Sequence, residues 1–231
     1  MLGKMEEQGT AIMNKLADSH ADNMAYSRFL NNDAVTLSSI IHALQNRVLA
    51  VSKGKHVLCI QDTSEINYQK HKNFFRVDDE DLGPVGNNYD IGFFLHPTLV
   101  VDTAGYFPLG VSDVHIWNRH KDKQDKHVRN YKQQPIEEKE SYRWITSGQR
   151  SIELLGNTVA HITIIGDRES DIYDEFLALK GKHSDVLVRS KENRFLYDQE
   201  QRLYEYLSSQ PTAGTYKIKI RTDKRKNRES R

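Results

Sequence analysis

The chain has 231 residues, 33 basic and 32 acidic side chains, and a formal net charge of +1. A single cysteine, Cys59, excludes an intrachain disulfide and a multi-cysteine zinc site. No apolar run approaches the ~18 residues that span a bilayer, and the opening MLGKMEEQGT lacks the apolar core of a signal peptide. An aromatic fraction of 9% is too high for wholesale disorder. At ~150 residues per domain, the length allows one large domain with appendages. The expectation is a cytoplasmic protein with no membrane partner.

Residues 1–52 read as a helical segment. Ile12, Met13 and Leu16, then Leu37, Ile40, Ile41, Leu44 and Val48, fall at helical spacing, with Asn31-Asn32-Asp33 as the turn between them. The apolar run 57–60 reads as a strand buried on both faces and ends in Gln61-Asp62-Thr63-Ser64. Residues 69–92 are polar and rich in Gly, Pro and Asn, which predicts a long loop. Segments 93–101 and 106–117 form a hairpin around Asp102-Thr103-Ala104-Gly105. A charged stretch, 118–140, leads into a helix over 137–155 with Trp144, Ile145, Gly148, Ile152 and Leu155 on one face. A second apolar run, 162–165, ends at Gly166-Asp167. A helix striped by Ile172, Phe176, Leu177 and Leu179 follows, and residues 185–189 predict a third buried strand. Residues 203–207 suggest a short helix and 214–220 an exposed strand. The last fifteen residues hold eight basic and two acidic side chains, so the tail carries +6 and residues 1–216 carry −5. Net charge alone would discourage a nucleic-acid partner, but it is a sum over an acidic body and a basic end.

Two aspartates occupy equivalent places, Asp62 after the first apolar run and Asp167 after the second. In open α/β sheets, groups that act on ligands lie just beyond the carboxyl ends of the strands. Paired carboxylates there suit hard cations such as Mg²⁺, and two such ions stabilise the attacking and leaving oxygens of a phosphoryl transfer. The competing reading for each is a helix cap or turn former. For Asp102, which enters the hairpin turn, that plainer reading is preferred. Asp167 stands in Gly166-Asp167-Arg168-Glu169, with three charges together. Arg189 and Lys191 follow the third strand, on the aspartates' sheet edge if the strands run parallel, where they would neutralise phosphates. Arg119, Lys121, Lys123, Lys126 and Arg129 form another basic cluster, for which a solvated face is the competing reading. The histidines are scattered and lack the spacing of a helical zinc site.

In chain order the sequence carries Ala25-Tyr26-Ser27-Arg28-Phe29-Leu30, Gln61-Asp62-Thr63-Ser64, Leu82-Gly83-Pro84-Val85-Gly86-Asn87, Leu95-His96-Pro97-Thr98-Leu99 and Pro108-Leu109-Gly110-Val111 with Trp117. Glu138-Lys139-Glu140-Ser141 with Trp144, the stretch from Gly166 to Asp174, and Val188-Arg189-Ser190-Lys191 follow. In these stretches it resembles the DDE transposases of bacterial insertion sequences, in the group containing the Tn-five transposase, over roughly residues 20–231. The resemblance implies an α/β fold, an RNase H-like mixed sheet flanked by helices. A three-stranded meander would open the sheet and two strands would be added after helices. The implied division is an N-terminal helical segment at 1–52, a catalytic core at 53–210, and the start of a β-rich insertion with a basic tail at 211–231.

The resemblance also implies cut-and-paste DNA transposition. Asp62 and Asp167 would be the first two members of the metal-binding Asp-Asp-Glu triad, with Mg²⁺ (or Mn²⁺) as cofactor. Arg168, Arg189 and Lys191 would lie on DNA, and Glu169 would orient the metals or the DNA. The partners would be transposon terminal repeats, target DNA and a second subunit or full-length transposase, in the bacterial cytoplasm at the nucleoid. The family's third carboxylate lies in a Tyr-x-x-Arg-x-x-x-Glu-x-x-x-x-x-x-Lys setting that has no match here. The expectation is therefore a partial transposase, inactive or nearly so by itself. Two other readings stay open: a non-catalytic DNA- or partner-binding inhibitor of transposition, and a metal-dependent nuclease of the same fold.

Overall fold

The computed structural model describes residues 2–76, 79–86, 89–120, 133–215 and 217. Four helices come first: α1 (Leu2–Gln8), α2 (Met13–Leu16), α3 (His20–Leu30) and α4 (Leu37–Ser52). Ser19 starts α3 by accepting from the Asp22 amide, and Thr36 starts α4 by accepting from the Ser39 amide at 3.1 Å. The Ser39 hydroxyl reaches back to the Thr36 amide, so two orphan donors of the first turn are satisfied reciprocally. The stripe of α4 is only partly used. Val48 is fully buried while Leu37 and Ile40 stay exposed, so α4 docks by its C-terminal half.

Strands β1 (His56–Gln61), β2 (Ser64–Asn67), β3 (Gly83–Pro84), β4 (Ile91–Asp102) and β5 (Pro108–Trp117) come next. They are followed by α5 (Tyr142–Leu155), β6 (His161–Gly166), α6 (Tyr173–Leu179) and β7 (Ser184–Val188). The main sheet runs β5-β4-β1-β6-β7. β5 is antiparallel to β4, β4 to β1, and β6 and β7 are parallel to β1. A meander followed by two parallel strands, each reached through a helix, is the RNase H-like arrangement of a mixed α/β sheet. The expected meander and the two added strands are present, and the helix expected over 137–155 begins later, at Tyr142, after a separate 3₁₀ turn at Ile136–Glu138.

The core explains this assembly. Val57 and Cys59 of β1, Ile162 and Ile164 of β6, Val100 of β4 and Leu109 of β5 meet Val48 of α4, Leu155 of α5 and Leu179 of α6. Every second residue of β1 and β6 faces these helices. Burial pushes the Cys59 thiol up to about 12, which leaves it a small apolar side chain. Gly110 sits at φ +146 beside a register shift between β4 and β5, a conformation open mainly to glycine.

Four expectations need correction. The first apolar run is buried on one face and half-buried on the other. β7 is an edge strand, not a buried one: Asp185 and Leu187 are exposed, because no strand covers its far side among the described residues. The stretch 69–92 is not a plain loop. A 3₁₀ turn spans Gln69–Phe74, and β3 pairs with β4 at Gly92 and Ile91. In α6 Leu177 is exposed and Glu175 is buried in its place. The expected strand at 214–220 falls largely outside the described residues.

By its contacts the chain divides into Met1–Ser190 and Lys191–Arg231. The second unit contains β8 (Phe195–Leu196), β9 (Gln201–Arg202), which pair antiparallel, and α7 (Leu203–Ser209), the expected short helix. No helix among the described residues is long and apolar enough to cross a membrane.

Gly166 closes β6 under unusually close packing. A Cβ there would lie 2.2 Å from Ser170 Oγ and 2.3 Å from Ser170 Cβ. Gly166→Ala is expected to displace the turn after β6 and lower unfolding free energy by about 1–3 kcal/mol, the usual range for overpacking. Urea denaturation checks it.

Candidate functional site

Two strand ends carry the site. β1 and β6 pair in parallel with Ile60 opposite Ile165, so two residues further along Asp62 stands level with Asp167. Adjacent strands lie ~4.8 Å apart. Gln61 and Gly166 face the core, and alternation turns the following aspartates away from it; both are exposed.

The break that frees Asp62 has a visible origin. β1 and β2 pair with β4 in one continuous register, Gln61 with Thr98 and Ser64 with Leu95. Asp62 therefore falls opposite Pro97, a residue with no N–H for a ladder, and Thr63 falls opposite His96. Asp62 Oδ1 accepts from the Thr63 amide at 2.8 Å. Asp167 caps the 3₁₀ turn Arg168–Ser170, with Oδ1 accepting from the Glu169 amide at 2.8 Å. Each aspartate is thus a turn former through one oxygen, and the second oxygen of each has no hydrogen-bond partner among the described residues. The two competing readings of these aspartates are compatible.

The basic candidates separate. Gly166 pairs with Val188, and the Arg189 amide donates to the Gly166 carbonyl, so Arg189 stands beside Asp167 on the next strand and is exposed. The parallel course of β6 and β7 is what places it there. Arg168 is exposed in the turn after Asp167. Lys191 belongs to the second unit. Arg119 is engaged as a fork on Glu140, Nε to Oε1 and Nη2 to Oε2 both at 2.8 Å, and lies 4.6 Å over the Phe94 ring. Lys121, Lys123, Lys126 and Arg129 lie outside the described residues. Asp102 is a turn former: Oδ1 accepts from the Ala104 amide and Oδ2 pairs with Lys55 at 2.6 Å, which holds the carboxyl below its ordinary range.

A buried polar network beneath the aspartates went unread in the sequence. Arg143, on the first turn of α5, donates from Nε to Thr63 Oγ1 at 3.0 Å, from Nη1 to the Glu140 carbonyl at 2.7 Å, and from Nη2 to Glu169 Oε2 at 2.7 Å. Its guanidinium lies 5.1 Å from the Trp117 ring and 5.6 Å from the Trp144 ring. Thr63 Oγ1 is 2.9 Å from His96 Nδ1, and His96 Nε2 is 3.0 Å from Gln61 Oε1. The protons can be assigned. Gln61 Oε1 can only accept, so Nε2 carries a proton and donates to it. Burial first, then the charge of Arg143, lowers the His96 pKa to about 3, so the ring is neutral, Nδ1 carries no proton, and the Thr63 hydroxyl donates to it.

A second buried acid lies under the other turn. Glu175 is fully buried, with Oε1 and Oε2 at 2.6 and 2.7 Å from Ser170 Oγ. Burial raises its pKa to about 7. A serine has one proton, so both short contacts are satisfied when the carboxyl carries its own.

The available signals were a histidine at a core-facing position of a strand (His96, between Phe94 and Thr98) and an arginine directly before a buried tryptophan. Neither names its partners, which lie up to 80 positions away.

Among the described residues no three His, Cys, Asp or Glu side chains are grouped to hold a metal ion. Asp62 and Asp167 fit as two ligands of a hard cation: exposed carboxylates at one level, each with an oxygen to spare. No family model matches the chain. Among solved structures it is similar to the cryo-EM structure of the piggyBac transposase synaptic complex with hairpin DNA, at 9% identity and a TM-score of 0.34, over 69% of this chain and 31% of that one; the chain thus spans about a third of that protein's length.

Proposed function

We propose that this chain carries the metal-binding and DNA-facing part of a DNA transposase, working on phosphodiester bonds. The observation that carries the reading is one row of side chains at one sheet end: Asp62 on β1, Asp167 level with it past β6, and Arg189 level again past β7. Asp62 and Asp167 would hold Mg²⁺, or Mn²⁺, through their free oxygens. When bound, the ion activates water and stabilises charge on phosphate oxygens. Arg189, with Arg168 beside Asp167, offers positive charge to a DNA strand running along this edge. Lys191 extends the basic sequence from the second unit, and Glu169 is held toward Arg143 as an orienting acid.

Among the described residues no third acid is grouped with Asp62 and Asp167; their two negative charges are half of what two divalent cations carry, so the reading is metal binding with slow nicking of DNA. Terminal repeats and target DNA are the proposed substrates, and a second subunit the proposed partner.

The test is a Mn²⁺ titration of the full chain followed by electron paramagnetic resonance, with a gel assay on terminal-repeat DNA. Wild type is expected to bind Mn²⁺, Asp62→Asn and Asp167→Asn to bind at least tenfold more weakly, and Arg189→Ala to bind Mn²⁺ normally while weakening the DNA shift. Equal Mn²⁺ binding by wild type and Asp62→Asn overturns the reading. Fast cleavage abolished by Asp167→Ala overturns the expected slowness.

A further inference from the structure

Asp62 and Asp167 belong to different strands, 105 positions apart in sequence, and each sits in a short turn on the surface. The sheet ladder ends before both: β1 stops at Gln61 and β6 at Gly166. Something past the ladder must hold the two turns level if their carboxylates are to share a cation. One side chain touches both. Arg143 donates from Nε to the hydroxyl of Thr63, directly after Asp62, and from Nη2 to the carboxylate of Glu169, two residues after Asp167.

The latch is itself fixed on every side. The Arg143 side chain is 10% exposed, bonded to the Glu140 carbonyl and lodged against the faces of Trp117 and Trp144. Glu140 is in turn forked by Arg119. On the far side, Thr63 passes the chain to neutral His96 and on to Gln61 in the core. The same two residues, Thr63 and Glu169, supply the amides that bond Asp62 Oδ1 and Asp167 Oδ1. Arg143 thus grips, through side chains, the residues whose backbones orient the two acids.

We propose that Arg143 is a positioning residue: its guanidinium fork clamps the Asp62 turn to the Asp167 turn and presets the two carboxylates for one cation. The inference rests on the metal-site reading above and assigns it a supporting residue. Partners that orient metal ligands characteristically change metal affinity by about 10–100-fold when removed. The role needs two donors at fixed spacing, which a guanidinium has and an ammonium lacks. Glu169 is accordingly committed to Arg143 and serves the site through it.

The test uses the full chain and two readouts. Hydrogen exchange at the Thr63 and Glu169 amides reads the two turns directly, and Mn²⁺ affinity reads the outcome for the ligands. Arg143→Lys keeps the charge and loses the fork. Thr63→Val keeps the shape and loses the hydroxyl, which guards against a variant that merely misfolds. Thr63→Ser restores the hydroxyl. Arg143→Lys and Thr63→Val are expected to speed exchange at the Glu169 amide about tenfold, to leave the Ile164 amide of β6 unchanged, and to weaken Mn²⁺ binding about tenfold. Thr63→Ser is expected to match wild type. Thr63→Val leaving the Glu169 amide unchanged overturns the clamp, because the perturbation then fails to cross between strands. Faster exchange with unchanged Mn²⁺ affinity overturns the positioning role. If wild type binds no Mn²⁺, the metal-site reading fails, and the exchange arm still decides whether the clamp exists.

Discussion

Trp144→Ala is expected to lower the unfolding free energy by about 3–5 kcal/mol, the range for deleting a buried aromatic side chain. Trp144 is 1% exposed and is the largest fully buried side chain. Its ring meets His96 edge-on at 4.6 Å, supports Arg143, and lies 3.5 Å from where a Cβ on Gly166 would stand. The loss therefore opens a cavity beneath both acid-bearing turns. Trp144→Phe separates packing from polarity. The indole N–H is buried with no partner among the described residues, and an unsatisfied donor costs about 1–3 kcal/mol. Phenylalanine removes that cost while keeping most of the ring, so Trp144→Phe should cost less than about 1.5 kcal/mol. Guanidinium denaturation of both variants checks the pair, and equal losses would show that the ring's volume is not what matters.

Glu175→Gln is expected to change how stability depends on pH. Burial raises the folded-state pKa of Glu175 from 4.5 to about 7. A group whose pKa is raised on folding contributes fully below its unfolded pKa, and the contribution is lost as pH rises through the folded value. At about 1.4 kcal/mol per pKa unit, the wild type should lose about 2–3 kcal/mol relative to Glu175→Gln between pH 5 and pH 8. Other groups titrate as well, and His96 does so with the opposite sign in an overlapping window. His96, lowered by burial, stays neutral when folded, so its contribution is lost as pH falls from its ordinary pKa toward about 3. Asp102, lowered by the Lys55 hydrogen bond, acts only at acid pH below the ordinary carboxylate range. The difference between wild type and Glu175→Gln isolates Glu175. A difference that stays flat over pH 5–8 would mean that the carboxyl is ionised in the folded state throughout. The neutral acid also matters locally, since Ser170, its partner, ends the turn that Asp167 caps.

The meander, the helix carrying Trp144 and the two added strands were legible because each is written in local pattern. Segments 93–101 and 106–117 declare themselves by the turn Asp102-Thr103-Ala104-Gly105 between them, and the short apolar runs 57–60 and 162–165 by their composition. The status of β7 was not legible: a run of three apolar residues, 186–188, looks the same at an edge as at a centre, and only sheet order decides. Leu177 and Glu175 misled for a related reason. Hydrophobicity puts leucine inside, yet a hydroxyl from Ser170, five residues earlier, receives the glutamate instead.

Asp62 and Asp167 were visible as aspartates following apolar runs, because the end of a buried strand is marked by its own composition. Sequence alone determined this much: which residues end strands, where the turns fall, and that the chain's charge is divided between an acidic body and a basic tail. Tertiary structure alone decided that the two aspartates stand level, since parallel register is set by pairing across 105 positions. It also decided that Arg189 joins their row and that Arg143, Thr63 and His96 form one chain beneath them. The physical reason is that local pattern records burial, which each residue experiences singly, whereas register and hydrogen-bond partners are properties of pairs brought together only by folding.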